Sequence, residues 1–138
     1  MNAHHSILLI EDDRIDAMTV TRALRDLGST NPLHHVTDGE KALSFLVDPA
    51  SPRPMLILLD LNMPRMNGAE FLAVIKADDL FRAIPIVVLT TSQEDRDRLR
   101  AFDLSAAGYI VKPVDYTQFV NVMRTVLDYW TTSQTPPI

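Results

Sequence analysis

Five short aliphatic runs punctuate the chain, and between them the apolar residues recur at helical spacing. Residues 6–10 (Ser-Ile-Leu-Leu-Ile) stop abruptly at Glu11, Asp12 and Asp13. A run with no polar alternation reads as a strand buried on both faces. Ala17, Val20, Ala23, Leu24 and Leu27 then mark an amphipathic helix, with Gly28 placed to end it. Leu33–Val36 is a weaker strand because its interior is His34–His35, a composition that suits a sheet edge. Ala42, Leu43 and Leu46 predict a short helix after Asp38–Gly39, closed by Pro49, Pro52 and Pro54. Residues 55–59 form the clearest buried strand. Asn67 and Glu70 have capping-box spacing ahead of a helix with the stripe Phe71, Leu72 and Ile75. Pro85 introduces a strand at 86–89, and Ser92 is placed to cap a charged helix from 93 to about 102. Gly108–Val111 is a fifth strand, ending at Lys112–Pro113. Phe119, Val122, Met123, Val126, Leu127 and Trp130 make the strongest amphipathic helix of the chain.

Strand and helix therefore alternate five times, with connections too long for hairpins. That order predicts an α/β, doubly wound parallel sheet with right-handed crossovers and helices on both faces. A length of 138 residues suits one domain, expected over residues 6–130 between a short extension (1–5) and a loose tail (131–138). Composition narrows the function classes. There is no cysteine, which excludes disulfides, cysteine metal sites and thiol nucleophiles. The net charge of −5 argues against a nucleic-acid partner, which would need a basic face. The most apolar run ends at Asp60, far short of a membrane span, and residues 1–6 lack the features of a signal peptide. A cytoplasmic location with no membrane partner is the expectation.

The candidate chemistry lies where the strands end. In an open parallel sheet, ligands bind beyond the C-terminal strand ends. Strand one ends in Glu11–Asp12–Asp13, strand three in Asp60, strand four in Thr90 and strand five in Lys112, so all four should emerge on one rim. Clustered carboxylates repel one another and must either hold protons or share a cation. Mg²⁺ (or Mn²⁺) fits a set of carboxylates, and the absence of His and Cys at these ends argues against zinc. A lysine and a hydroxyl facing the same cluster suit a phosphoryl group. Asp60, alone at the end of a central strand, is the candidate nucleophile for an aspartyl phosphate, with Glu11 and Asp12 as the metal-holding pair.

These motifs carry a family resemblance. Ile7-Leu-Leu-Ile-Glu-Asp12, Leu59-Asp60-Leu-Asn-Met-Pro64 through Gly68, Leu89-Thr90-Thr91-Ser92 and Gly108-Tyr-Ile-Val-Lys112-Pro113 together resemble a response-regulator receiver domain. The resemblance covers nearly the whole chain. It implies a flavodoxin-like fold of strand order 2-1-3-4-5, with Asp60 accepting a phosphoryl group from the phosphohistidine of a sensor histidine kinase. It implies a metal held by Glu11, Asp12, Asp60 and the backbone carbonyl of Asn62. Lys112 and Thr90 would bind the phosphoryl oxygens, Tyr109 would be the switch residue, and Lys112–Pro113 would be a cis peptide. Asn62 and Ser92 stand at the two positions that tune self-dephosphorylation in this family. Three residues depart from its commonest pattern: Glu11 stands for Asp, Asp13 adds an acid better read as a helix cap than as a ligand, and Thr91 stands for a smaller residue.

A narrower resemblance rests on Leu58 to Arg65, Leu89 to Ser92, Phe45–Leu46 and Tyr129–Trp130, which are similar to single-domain regulators of bacterial phytochromes. It implies a bacteriophytochrome kinase as partner, and homodimers through the face of the fourth helix, fifth strand and fifth helix. Because no effector segment is visible, output is expected through that face, reshaped when Thr90 moves toward the phosphoryl oxygens and Tyr109 turns inward. No separate substrate turnover is expected. Two alternatives remain. A Mg²⁺-dependent small-molecule phosphatase or phosphotransferase would place a second acid two residues after the nucleophile, where this chain has Asn62. A phosphorylation-independent adaptor on the same fold is the other. Outside the strand ends the residues have ordinary readings: His4–His5 and His34–His35 lack a completed ligand set, and Arg96, Arg98 and Arg100 alternate with acids as on a solvated helix. Trp130 reads as a core or interface anchor.

Overall fold

The structure is a computed structural model that describes residues 6–63, 65–91, 95–113 and 115–132. Its elements follow the expected alternation: β1 (Ile7–Ile10), α1 (Arg14–Asp26), β2 (Leu33–Val36), α2 (Gly39–Val47), β3 (Leu56–Leu59), α3 (Gly68–Lys76), β4 (Ile86–Thr90), α4 (Asp95–Asp103), β5 (Gly108–Val111) and α5 (Tyr116–Thr132). The five strands form one parallel sheet of order β2-β1-β3-β4-β5. The chain steps from β1 outward to β2 and then returns across β1 to β3. The winding therefore reverses between β1 and β3, which is where such sheets open a crevice.

The aliphatic runs are buried on both faces because side chains alternate across the sheet. Ile7, Leu9, Leu56, Leu58, Val87 and Leu89 face α1 and α5, meeting Val20, Leu24, Phe119 and Met123. Their neighbours Leu8, Ile10, Ile57, Leu59, Ile86 and Val88 face the other way, onto Leu46, Phe71, Leu72 and Ile75 of α2 and α3. β2 is the edge strand, and only partly buried, as its two histidines required. His34 tilts against Phe45 at 5.2 Å between ring centroids. His35 Nε2 lies 2.7 Å from the Glu11 carbonyl oxygen, which can only accept, so this nitrogen carries the proton.

Local signals set the helix ends. Asp13 caps α1 by accepting from the Asp16 N–H. Gly28, at φ +70°, closes it in a Schellman motif, with Ser29 N–H to Leu24 O and Gly28 N–H to Arg25 O. Asn67 and Glu70 complete their capping box on α3. The cap of the fourth helix expected at Ser92 lies outside the described residues. One expectation is corrected: the Lys112–Pro113 peptide is trans. Trans is the lower-energy form of an X–Pro bond by about 0.5–1 kcal/mol, and with it Lys112 already reaches its carboxylate partners.

Asp38 anchors a contact that the pattern of the chain did not announce. Its Oδ1 accepts the Lys41 N–H at the start of α2, and its Oδ2 accepts from Arg65 Nη1 at 2.8 Å. The carboxyl is buried while the Arg65 side chain is 59% exposed. The Lys41 N–H and Arg65 hold its pKa below the ordinary carboxylate value against the opposing effect of burial. Asp38→Ala should therefore lower stability by about 1–2 kcal/mol, mainly through the lost cap. Arg65→Ala should cost less than about 1 kcal/mol. Urea unfolding midpoints of the two variants test this ordering, and equal losses would move the effect from the cap to the ion pair.

Candidate functional site

The ladder itself delivers the site residues. Each strand is prolonged by one backbone hydrogen bond: Glu11 N–H to Val36 O at 3.0 Å, Asp60 N–H to Ile10 O at 3.0 Å and Lys112 N–H to Thr90 O at 2.7 Å. Glu11, Asp60 and Lys112 thus leave the sheet on one rim with their backbones still fixed. Behind Asp60 the chain is pressed against the start of α3. A Cβ on Gly68 would fall 2.5 Å from the Asp60 carbonyl oxygen and 2.7 Å from Leu61 Cα, so only glycine fits. Gly68 N–H also closes on Leu61 O at 3.0 Å.

A depression of about 900 Å³ opens at this rim, lined by Glu11, Asp12, Asp60, Asn62 and Lys112 among others. Carboxylate oxygens of Glu11, Asp12 and Asp60 all lie within 4.8 Å of one another. Glu11 and Asp60 are buried, at 2% and 7% exposure, while Asp12 faces solvent. Lys112 Nζ donates to Glu11 Oε1 at 2.7 Å and to Asp16 Oδ2 at 3.2 Å. Glu11 Oε2 accepts the Asp13 N–H at 3.1 Å.

The electrostatics follow from that crowding. Burial, then the Glu11 charge, pushes Asp60 up from 3.8 to about 7, against the opposing pull of Lys112 and the Asn62 N–H. Burial lowers the Lys112 pKa, but its hydrogen bonds and ion pairs with Glu11 and Asp16 outweigh this, so the net shift is upward and it stays charged. One ammonium does not neutralise three carboxylates. An all-oxygen donor set that includes two buried carboxyl groups fits a hard divalent cation, and Glu11, Asp12 and Asp60 are the groups that could hold it.

The other expected residues occupy different places. Thr90 ends β4 on the same rim but is fully buried, and the exposed Thr91 lines the depression in its stead. Tyr109 lies on β5, half-buried and packed on the cluster beneath α3 and α4. Asn62 is exposed at the mouth. Ser92 lies outside the described residues. Asp16 is the residue that sequence reasoning missed. It lies in the first turn of α1, and nothing local points from there to a lysine 96 positions away.

Comparison with known proteins places this geometry in a family. The response regulator receiver domain model matches residues 7–124, and the chain belongs to that family. It is 38% identical over 127 residues to the probable methanogenesis regulatory protein FilR2 of Methanothrix harundinacea, covering 90% of this chain and 82% of that one. The response regulator Rcp1 of Synechocystis sp. is 35% identical over 135 residues, covering 95% and 92%. Its Mn²⁺-bound crystal structure superposes with a TM-score of 0.86 over 96% of this chain and 99% of that one. The phosphorylated cyanobacterial phytochrome response regulator RcpA gives a TM-score of 0.87 at 32% identity, covering 97% and 99%.

A raised carboxyl pKa has a thermodynamic consequence. Between its unfolded value of 3.8 and its folded value of about 7, Asp60 binds more proton in the native state than in the unfolded chain. Its contribution to stability is therefore complete below pH 3.8 and is lost as pH rises through 7. In metal-free buffer, Asp60→Asn should raise Tm over the parent protein, with a gap that widens from pH 5 to pH 8. Added Mg²⁺ should narrow the gap by stabilising the parent. A gap independent of pH in thermal scans would show that the Asp60 carboxyl is ionised throughout.

Proposed function

We propose that this receiver accepts a phosphoryl group on Asp60 from the phosphohistidine of a sensor kinase. The observation that carries the reading is the Glu11–Asp12–Asp60 cluster with Lys112 across it, at the point where the sheet reverses its winding. An Asp60 oxygen attacks phosphorus as the phosphorus–nitrogen bond to the donor imidazole breaks, leaving an acyl phosphate here and a neutral histidine there. A divalent cation held by Glu11, Asp12, Asp60 and the Asn62 carbonyl supplies charge neutralisation for the transferring group. Lys112 supplies the remaining positive charge to the incoming oxygens, and the Thr90 hydroxyl is the nearby donor at the end of β4. Glu11 and Asp16, which hold Lys112 in the resting site, compete with those oxygens for the ammonium. Asn62 and Ser92 tune the hydrolysis of the acyl phosphate.

Phosphorylation adds about −1.5 to −2 charges to the rim. The response runs through Thr90 to Tyr109, and so to the α4–β5–α5 face. Helix α4 carries exposed Leu99 and Phe102, and α5 carries exposed Tyr129, with Trp130 edge-on to it at 4.6 Å. Apolar residues of this size suit a protein contact, and a second copy of the chain is the partner we favour. A phytochrome-type kinase is the favoured donor, on the strength of RcpA and of RtBRR, a bacteriophytochrome response regulator 35% identical to this chain. No helix among the described residues is long and apolar enough to cross a membrane, in keeping with a receiver that meets its kinase in the cytoplasm.

Acetyl phosphate or a phosphorylated phytochrome-type kinase should label the parent chain with phosphate that is labile to acid and to base and is released by hydroxylamine, as expected of an acyl phosphate. Asp60→Asn should abolish the label. Equal labelling of that variant would overturn the assignment, and labelling by an unrelated kinase at the same rate would overturn the choice of donor.

A further inference from the structure

Lys112 has two acidic partners, and only one of them belongs to the metal cluster. Glu11 Oε1, at 2.7 Å, is part of the cluster of three carboxylates, whereas Asp16 Oδ2, at 3.2 Å, approaches the ammonium from the first turn of α1. The Lys112 side chain is 10% exposed, so its charge is spent almost entirely on these two groups. Asp16 is 40% exposed and retains contact with water. Its position is fixed independently of its own carboxylate, because its backbone N–H is the donor that Asp13 caps.

We propose that Asp16 is a positioning residue for Lys112 that biases the resting site toward a cation and against the phosphoryl anion. A cation drawn to Glu11 weakens that carboxylate as an acceptor, and Lys112 then leans on Asp16. A phosphoryl group on Asp60 must in turn take Lys112 from Asp16. Asp16 also adds one negative charge to the rim, which favours a cation and opposes an anion by simple Coulomb interaction. The two affinities should therefore respond to Asp16 with opposite signs. This inference rests on Asp60 being the phosphoacceptor.

Asp16→Asn removes the charge while keeping the shape and the helix cap. Mn²⁺ affinity of the unphosphorylated chain, read by electron paramagnetic resonance, should fall by about threefold, the size of a half-exposed ion pair. Affinity for beryllofluoride, a phosphoryl mimic, should rise by a similar factor at saturating Mg²⁺, read by ¹⁹F magnetic resonance. Asp16→Glu should return both toward the parent values. Loss of both affinities together, or no change in either, would overturn the proposal, since a purely structural role weakens both. Beryllofluoride binding that survives Asp60→Asn would instead overturn the underlying assignment of Asp60, a result separable from the behaviour of the Asp16 variants.

Discussion

Two carboxyl groups, Glu11 and Asp60, are buried side by side at the ends of adjacent strands, and the parallel ladder gives them no freedom to separate. Ile10 pairs with Leu59, so the residue after each is delivered to the same rim in register. Burial and mutual repulsion raise Asp60 to about 7, and Lys112 offsets only part of the cost. Unpaired buried charge is among the most expensive features a core can carry. A site with that excess is poised to gain free energy from a cation.

The surroundings keep the cost from being relieved by movement. Gly68 brings the start of α3 into contact with the Asp60 backbone, leaving no space for a side chain. The loop between them is tied from the other side, where Gly39 N–H reaches Met66 O and the buried Asp38 pairs with Arg65. Arg65 takes φ +59° to make that turn, a conformation glycine adopts more readily. Caps that look like helix chemistry thus also brace the loop behind the buried Asp60 carboxyl.

The legibility of the molecule differed between its levels. β1, β3 and β4 were readable because a strand buried on both faces must be apolar at successive positions, and β2 was readable as an edge because two histidines could not lie in the centre. The rim position of Glu11, Asp12, Asp60 and Lys112 followed from where each apolar run stopped. Local capping signals at Asp13 and Asn67 were equally legible, since their partners lie three residues away. The isomer of Lys112–Pro113, drawn from family resemblance, was not legible in this way. The full burial of Thr90 and the turning of Tyr109 toward the α3 and α4 side were not legible either, because they depend on how the layers meet.

The sequence by itself determined the alternation, the two faces of the sheet and the set of groups on the rim, because periodicity and strand ends are local properties of the chain. Which acid each cation takes was left to tertiary structure. Lys112 divides itself between Glu11 and Asp16, and Arg65 finds Asp38 across 27 positions. Ion pairs between distant residues depend on helix azimuth and side-chain reach once the layers have packed. The shift of Asp60 has the same origin, since desolvation is a property of the closed rim and not of any one segment.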